Sequence, residues 1–87
     1  MFKNDKERVK FWADYAEERL VGRKIKAVRW MSKEEAEDIG WHDRPIVIHL
    51  DDGSLLFPSS DDEGNNGGVL FGSDKGGKDW TFPVNGG

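Results

Sequence analysis

Apolar positions near the start of the chain repeat with the period of a helix. Spacings of 3, 4, 7 and 11 residues from the first position put them on one continuous face. These residues are Val9, Trp12, Ala13, Ala16 and Leu20. Asn4 followed by Glu7 resembles a capping box, and Gly22 is a residue type that commonly ends helices. The pattern predicts a helix over about residues 5–21.

The following segment changes from the period of a helix to that of a strand. Residues 24–31 alternate between polar and apolar side chains, which predicts a first strand. Ser32 with Glu35 forms a second capping-box pattern, so a short helix should begin there. That helix should continue through Ile39 and end at Gly40.

A hairpin is predicted around Asp52-Gly53. Residues 45–51 alternate as a second strand, and an Asp-Gly pair favours a two-residue type I′ turn. The register set by such a turn pairs Leu50 with Leu55, His49 with Leu56 and Ile48 with Phe57. The first and last pairs are apolar and should face the core, whereas the imidazole should point away from it. Pro58 should end the third strand, because proline has no backbone donor.

The rest of the chain is rich in turns, because eight of the eleven glycines lie in residues 64–87. Short strands are predicted at 69–71 and 80–84. One helix followed by about five antiparallel strands predicts a single α+β domain over residues 1–84. We expect the N-terminal helix to pack on the small sheet, and the sheet to curl into an SH3-like partial barrel. Residues 85–87 are predicted to be a disordered tail.

Composition narrows the class of protein. The 87-residue chain has no cysteine, which excludes disulfides and thiolate metal sites and favours a reducing, cytoplasmic location. No segment is apolar over the length of a membrane span, so no membrane partner is expected. The net charge of −4 divides into +4 over residues 1–30 and −8 over residues 31–87. Because the acidic part would repel phosphate, binding of double-stranded nucleic acid is disfavoured.

Several motifs between residues 32 and 71 occur in one combination. They are Glu34-Glu35-Ala36-Glu37, Gly40-Trp41, Arg44-Pro45, Leu50-Asp51-Asp52-Gly53, Ser59, Asp61-Asp62-Glu63-Gly64-Asn65 and Gly67-Gly68. In this combination the chain resembles a small uncharacterised family of bacterial and phage proteins. The resemblance implies that the acidic loop belongs to the fold of that family. It implies no activity, because none is established for the family.

The acidic segment 59–68 has three interpretations. Its oxygen-bearing candidates are Asp61, Asp62, Glu63, Asn65 and Asn66. Calcium prefers such ligands, but the EF-hand spacing is not met, because Asn66 and Gly72 stand where that loop needs glycine and glutamate. Asp and Asn beside glycine also cap backbone amides in turns, and this structural interpretation is the one we favour. A ligand-binding role for the loop is compatible with it.

A second polar segment, Trp41-His42-Asp43-Arg44, joins the short helix to the second strand. Its indole, imidazole and guanidinium groups could stack on a base and hold a phosphate. In the alternative interpretation, Trp41 fills the end of the barrel and Arg44 pairs with a carboxylate of the acidic loop. Because buried aromatic residues usually serve packing, the sequence favours the alternative.

No catalytic or metal-binding pattern stands out. His42 and His49 are the only histidines and lack the spacing of zinc ligands, while Ser59-Ser60 lacks a nucleophile motif. Lys24 and Lys26 share one face of the first strand, where they could bind an anion or protect a sheet edge. We therefore expect no enzymatic activity, no cofactor and no metal site.

The sequence thus predicts a small intracellular binding module for an unknown protein or small ligand. Its working surface should be formed by loops 40–44 and 59–68. The predicted contact residues are Trp41, His42, Arg44, Asp61, Asp62, Glu63, Asn65 and Asn66. The sequence does not define the oligomeric state.

Two other functions remain open. A phage-type protein could sequester a small nucleotide, with Arg44, Lys24 and Lys26 on the phosphate and Trp41 against the base. Separately, the ending Phe82-Pro83-Val84-Asn85-Gly86-Gly87 resembles the tail of ubiquitin-like sulfur carriers. That resemblance implies adenylation and thiocarboxylation of the terminal Gly-Gly. The order of elements differs, since those carriers begin with a β-hairpin and this chain is predicted to begin with a helix.

Overall fold

The computed structural model describes residues 3–86. Helix α1 (Asp5–Leu20), strand β1 (Ile25–Trp30) and helix α2 (Lys33–Asp38) come first. The remaining strands are β2 (Asp43–Arg44), β3 (Ile46–Leu50), β4 (Leu55–Leu56), β5 (Leu70–Ser73), β6 (Asp79–Phe82) and β7 (Asn85–Gly86). One N-terminal helix and several small antiparallel sheets confirm the predicted α+β class.

The two helices begin where the capping patterns predicted. The Asn4 side chain accepts the Glu7 backbone amide at 2.9 Å. At the start of α2, Ser32 and Glu35 exchange both bonds of a capping box, at 2.9 and 3.1 Å. Satisfying these free amides is what fixes the first turn of each helix.

The strands form three separate antiparallel sheets. β1, β3 and β4 pair in that order along one sheet, while β2 pairs with β7 and β5 pairs with β6. Within residues 3–86 these sheets form no closed barrel, so the SH3-like arrangement stays a prediction.

The hairpin register differs by one residue from the prediction. Ile48 pairs with Leu56, and His49 pairs with Leu55. The cause is the turn, which has three loop residues and glycine at position 53 with φ of +90°. A type I′ turn would also need positive φ at Asp52, but among residues 3–86 only glycines have it. The Asp52 side chain instead accepts bonds from the backbone and hydroxyl of Ser54.

Buried residues lie on both faces of β3, with Ile46 and Leu50 on the predicted face and Val47 on the opposite one. The buried cluster consists of Met31, Ala36, Trp41 and Val47. Val47 is 1% exposed and lies on the same face of β3 as His49. The face on which His49 lies is therefore not left to solvent as predicted: His49 is half-buried, and its Nε2 accepts a bond from Arg29 at 3.0 Å.

Helix α1 does not pack on the sheet as predicted. None of the residues in Asp5–Leu20 is buried, and Val9, Trp12 and Leu20 are 63%, 53% and 41% exposed. The apolar stripe is present, but the only part of the described chain that lies beside it is the edge of the β3–β4 hairpin. A helical period marks a face that requires cover without specifying what covers it.

The C-terminal segment is more ordered than predicted. Asn85 and Gly86 form β7 and pair with Arg44 and Asp43 of β2, which corrects the expected disorder at these two positions. Because the backbone of this segment finds hydrogen-bond partners, it needs no apolar side chain to be held. Gly87, the third residue of the expected tail, lies outside the described residues.

Among residues 3–86, neither helix has the length and apolarity to span a bilayer.

Candidate functional site

Asn66 is the centre of the acidic loop. Its side-chain oxygen accepts the backbone amides of His42, Asp43 and Gly67 at 3.1, 2.9 and 2.9 Å. Its side-chain nitrogen donates to the Asp43 carboxylate at 3.0 Å. Its carbonyl oxygen accepts the Ser60 amide at 2.9 Å. One residue thus joins loop 59–68 to loop 40–44, and the two loops lie together as the sequence analysis expected.

Asp61 organises the tip of the same loop. Its carboxylate accepts the Asn65 side-chain and backbone amides at 2.8 and 3.2 Å, and the Glu63 backbone amide at 3.0 Å. The bonds from Asn65, followed by those from the backbone, lower the pKa of the Asp61 carboxyl below its usual value. This geometry is that of a backbone-capping turn, so Asp61 and Asn65 serve the loop's own conformation.

Trp41 anchors the junction of the two loops. It is 7% exposed, its ring meets Phe57 edge-on at 5.8 Å, and its Nε1 donates to the carbonyl of Gly64 at 2.6 Å. The indole is thus part of the core, as the packing interpretation of this residue proposed. An indole enclosed in this way has little free face on which a base could stack.

Two glycines allow the loops to approach closely. A Cβ atom on Gly67 would lie 2.4 Å from the Asp43 carbonyl oxygen and 2.7 Å from Pro45 Cδ. A Cβ on Gly68 would lie 2.7 Å from the backbone of Ser59. The glycine pair is therefore a packing requirement of the junction.

A small cavity of about 170 Å³ opens beside this junction. Its lining residues are Lys33, Ala36, Glu37, Trp41, His42 and Arg44. Three of the predicted contact residues, Trp41, His42 and Arg44, therefore meet at one site. Two further charged residues of the lining, Lys33 and Glu37, lie on one face of α2 because they are four positions apart.

Arg44 departs from the expected ion pair. Among residues 3–86 no ion pair engages Arg44, Lys33 or Glu37, so the guanidinium does not pair with the acidic loop. The Arg44 Nε is buried and has no hydrogen-bond partner there. The lining carries two fixed cations against one carboxylate, and a buried donor without an acceptor carries a desolvation cost. An anionic group in the cavity would balance the excess positive charge of its lining.

Helix α2 is held in place by a polar network. Arg29 of β1 donates to both carboxylate oxygens of Glu35, at 2.7 and 2.9 Å. Arg29 first, and then the backbone amide of Ser32, lower the pKa of Glu35 from 4.5 to about 2. The network fixes the helix that carries Lys33 and Glu37 against the sheet.

The remaining predicted residues are solvent-exposed. Within residues 3–86, the side chains of Asp62 and Glu63 have neither a hydrogen bond nor an ion pair. The same part of the chain has no group of three His, Asp or Glu side chains that could hold a metal ion.

Lys24 and Lys26 lie far from the cavity. Lys24 precedes β1 and Lys26 is its second residue, whereas Met31, after the end of that strand, donates its backbone amide to the carbonyl of Pro45, next to Arg44. At about 3.3 Å per residue, this places them at the opposite end of the strand. The positions do not support a joint grip of these lysines and Arg44 on one phosphate.

Sequence reasoning missed Lys33, Glu37 and Asp43 as site residues. The i,i+4 spacing of the first two was visible, but only the fold places that helix face beside Arg44. For Asp43 no signal was available, because its carboxylate meets an amide 23 positions later in the chain.

Comparison with known proteins finds no match: no family model, no curated protein and no solved structure is similar to this chain.

Proposed function

We propose that the chain is a small, non-enzymatic binding module whose working surface lies at loops 40–44 and 59–68. One observation supports this most directly. Lys33, His42 and Arg44 line a single cavity, and among residues 3–86 neither Lys33 nor Arg44 has a counter-ion. Cationic side chains held in a concave site beside a buried aromatic residue suit an anionic group.

Size and charge indicate the class of ligand. Small-molecule sites are usually about 300 Å³ or larger. The cavity, at about 170 Å³, suits one acidic side chain better than a whole nucleotide. Glu37 on the same lining opposes a second negative charge. We infer that an acidic segment of a protein partner inserts one carboxylate between Lys33 and Arg44.

A titration followed by ¹H–¹⁵N NMR tests this proposal. The probe is an acetylated tetraglutamate peptide, and the matched control is tetraglutamine at the same ionic strength, because unspecific attraction depends on salt. We expect the acidic peptide alone to shift the amide signals of residues 33, 42 and 44. Arg44→Met should weaken binding at least about tenfold, which is 1.4 kcal/mol. Lys26→Ala, at the far end of β1, should leave it unchanged.

The opposite pattern rejects the proposal. If both peptides act alike, or if Lys26→Ala weakens binding as much as Arg44→Met, the cavity is not the site. A nucleotide that binds more tightly than the peptide, with shifts at Trp41, would favour nucleotide sequestration instead. Removal of Gly87 alone should leave peptide binding intact, whereas a sulfur carrier would lose its activity.

A further inference from the structure

The exposed apolar face of α1 lies outside the proposed binding site. None of the residues in Asp5–Leu20 is buried, although Val9 and Trp12 belong to one apolar stripe with Leu20. An isolated helix of this length is only marginally stable in water, and helices in proteins usually gain stability by packing an apolar face. The stripe therefore has the character of a surface that is covered in the functional protein.

The chain exposes more surface than a folded monomer of its size. Its accessible area is 6885 Å². A compact protein of 9.9 kDa is expected to expose about 5,200 Å². The excess of roughly 1,700 Å² exceeds the area of about 800 Å² that each partner buries in a standard interface. The radius of gyration, 15.0 Å, also exceeds the value of about 12 Å expected for a compact chain.

The charges along one edge of the α1 stripe are complementary to those of a second α1 helix that runs antiparallel to it. Lys6 and Lys10 lie on one edge of the stripe in the first half of the helix, and Glu17 lies on the same edge in the second half. When two identical helices pack antiparallel, the same edges face each other. Both lysines of one helix would then lie beside the glutamate of the other.

The sizes of the stripe residues select the same arrangement. The large residues Val9 and Trp12 stand in the first half, and the small residues Ala13 and Ala16 follow. A two-fold axis midway between positions 12 and 13 sets Trp12 against Ala13 of the second copy, and Val9 against Ala16 of the second copy. Large side chains opposite small ones allow close packing of two helices. The same axis places Glu17 of the second copy at a height midway between Lys6 and Lys10 of the first.

A groove on the chain can receive these side chains. It has a volume of about 500 Å³ and lies between α1 and the β3–β4 hairpin. Ala16 and Leu20 line one wall, and Leu50, Leu55 and Leu56 line the other. Because Ala16 is the position that the axis sets against Val9 of the second copy, the helix of that copy would enter the groove there.

We propose that the chain forms a symmetric homodimer in which the α1 helices pack antiparallel across this stripe. The stripe pattern, the excess area, the charges on the lysine edge and the sizes of the four central stripe residues agree with one two-fold axis. The interface is isologous, so it closes at two copies.

Analytical ultracentrifugation of charge variants tests the dimer. The wild type should sediment at twice the chain mass of 9.9 kDa. Lys6→Glu/Lys10→Glu should dissociate it, and so should Glu17→Lys, because each change places like charges on facing edges. Combining all three substitutions in one chain should restore the dimer, and so should mixing the two single-sided variants. Phe71→Glu, a matched control at an exposed position 74% accessible on β5, should leave the mass unchanged.

The rescue separates pairing from folding. Lys10→Glu also removes the local ion pair with Asp14 at 2.8 Å, but the combined variant carries the same loss and is still expected to dimerise. Circular dichroism of each variant is the check that the helix is kept. A wild type that is monomeric at about 100 μM overturns the proposal, since an interface of standard size binds well below that concentration. A dimer that none of the helix substitutions changes overturns it as well.

Discussion

Asn66 and Asp43 hold each other through two bonds. The Asp43 backbone amide donates to the Asn66 side-chain oxygen at 2.9 Å, and the Asn66 side-chain nitrogen donates back to the Asp43 carboxylate at 3.0 Å. This reciprocal pair fixes the acidic loop to the strand that carries Arg44. The loop is therefore first a structural support of the cavity.

The first prediction concerns this support. Asn66→Ala should lower the free energy of unfolding by about 2–3 kcal/mol, because three backbone amides lose their acceptor. Asn65→Ala is the matched control: its side chain bonds only Asp61 on an exposed turn, so a loss below about 1 kcal/mol is expected. Urea denaturation measures both. Equal losses would contradict the central role of Asn66.

The second prediction separates two glycines of the same loop. Gly67→Ala should cost about 3 kcal/mol or more, because its Cβ would lie 2.4 Å from a backbone oxygen that cannot move aside freely. Gly64→Ala should cost only about 1 kcal/mol, since its φ is +75° but the space around it is open. Thermal denaturation compares the two variants, and a milder effect at position 67 would show that the loops do not approach so closely.

The third prediction is a dependence of stability on acid. The folded-state pKa of Glu35 is about 2, below the ordinary 4.5, so its bonds to Arg29 stabilise the fold above pH 4.5. This stabilisation should be lost as the pH falls from 4.5 towards 2. Glu35→Gln should lower stability by about 1 kcal/mol at neutral pH, a modest value because the pair is partly exposed to solvent.

The measurement is the melting temperature as a function of pH. The difference between the wild type and Glu35→Gln should shrink across the acid range. A constant difference down to pH 2 would indicate that the carboxylate charge does not contribute. Glu34→Gln, one position earlier and exposed, is the control and should change little.

The fourth prediction separates stability from binding. Arg44→Met removes a buried guanidinium nitrogen that has no partner among residues 3–86, so stability should stay level or rise by about 0.5–1 kcal/mol. Binding of the acidic peptide should fall at the same time. Denaturation and titration on one protein sample check both, and a large loss of stability would mean that Arg44 serves the fold.

Local patterns predicted the helices well and the sheet pairing less well. Asn4 and Ser32 fixed the starts of both helices because a cap is decided within four residues. The Asp52-Gly53 pair identified a hairpin, but two turn types use that pair, and the structure has the one with three loop residues. That single residue moved Leu55 and Leu56 to the faces opposite those predicted.

The candidate site was predictable only in part. The two polar loops were recognised because their residues exceed what a turn requires, and they do meet. Lys33 lines the cavity because the fold places α2 beside Arg44, and no local sequence pattern predicts that placement. β2 and β7 were missed for the same reason, since two-residue strands such as Asn85–Gly86 carry no alternation to detect.

The pairing of β2 with β7 has a consequence for the order of folding. Arg44 belongs to a strand whose partner is Asn85–Gly86, so its backbone is positioned by a contact across nearly half the chain. Contacts between residues so far apart in the chain form slowly, because the entropy of closing a large loop is lost before the contacts can stabilise the fold. We expect β1, β3 and β4 to assemble first and the wall of the cavity that holds the guanidinium to be completed last. A partner protein would then distinguish a fully folded chain from one still in the course of folding.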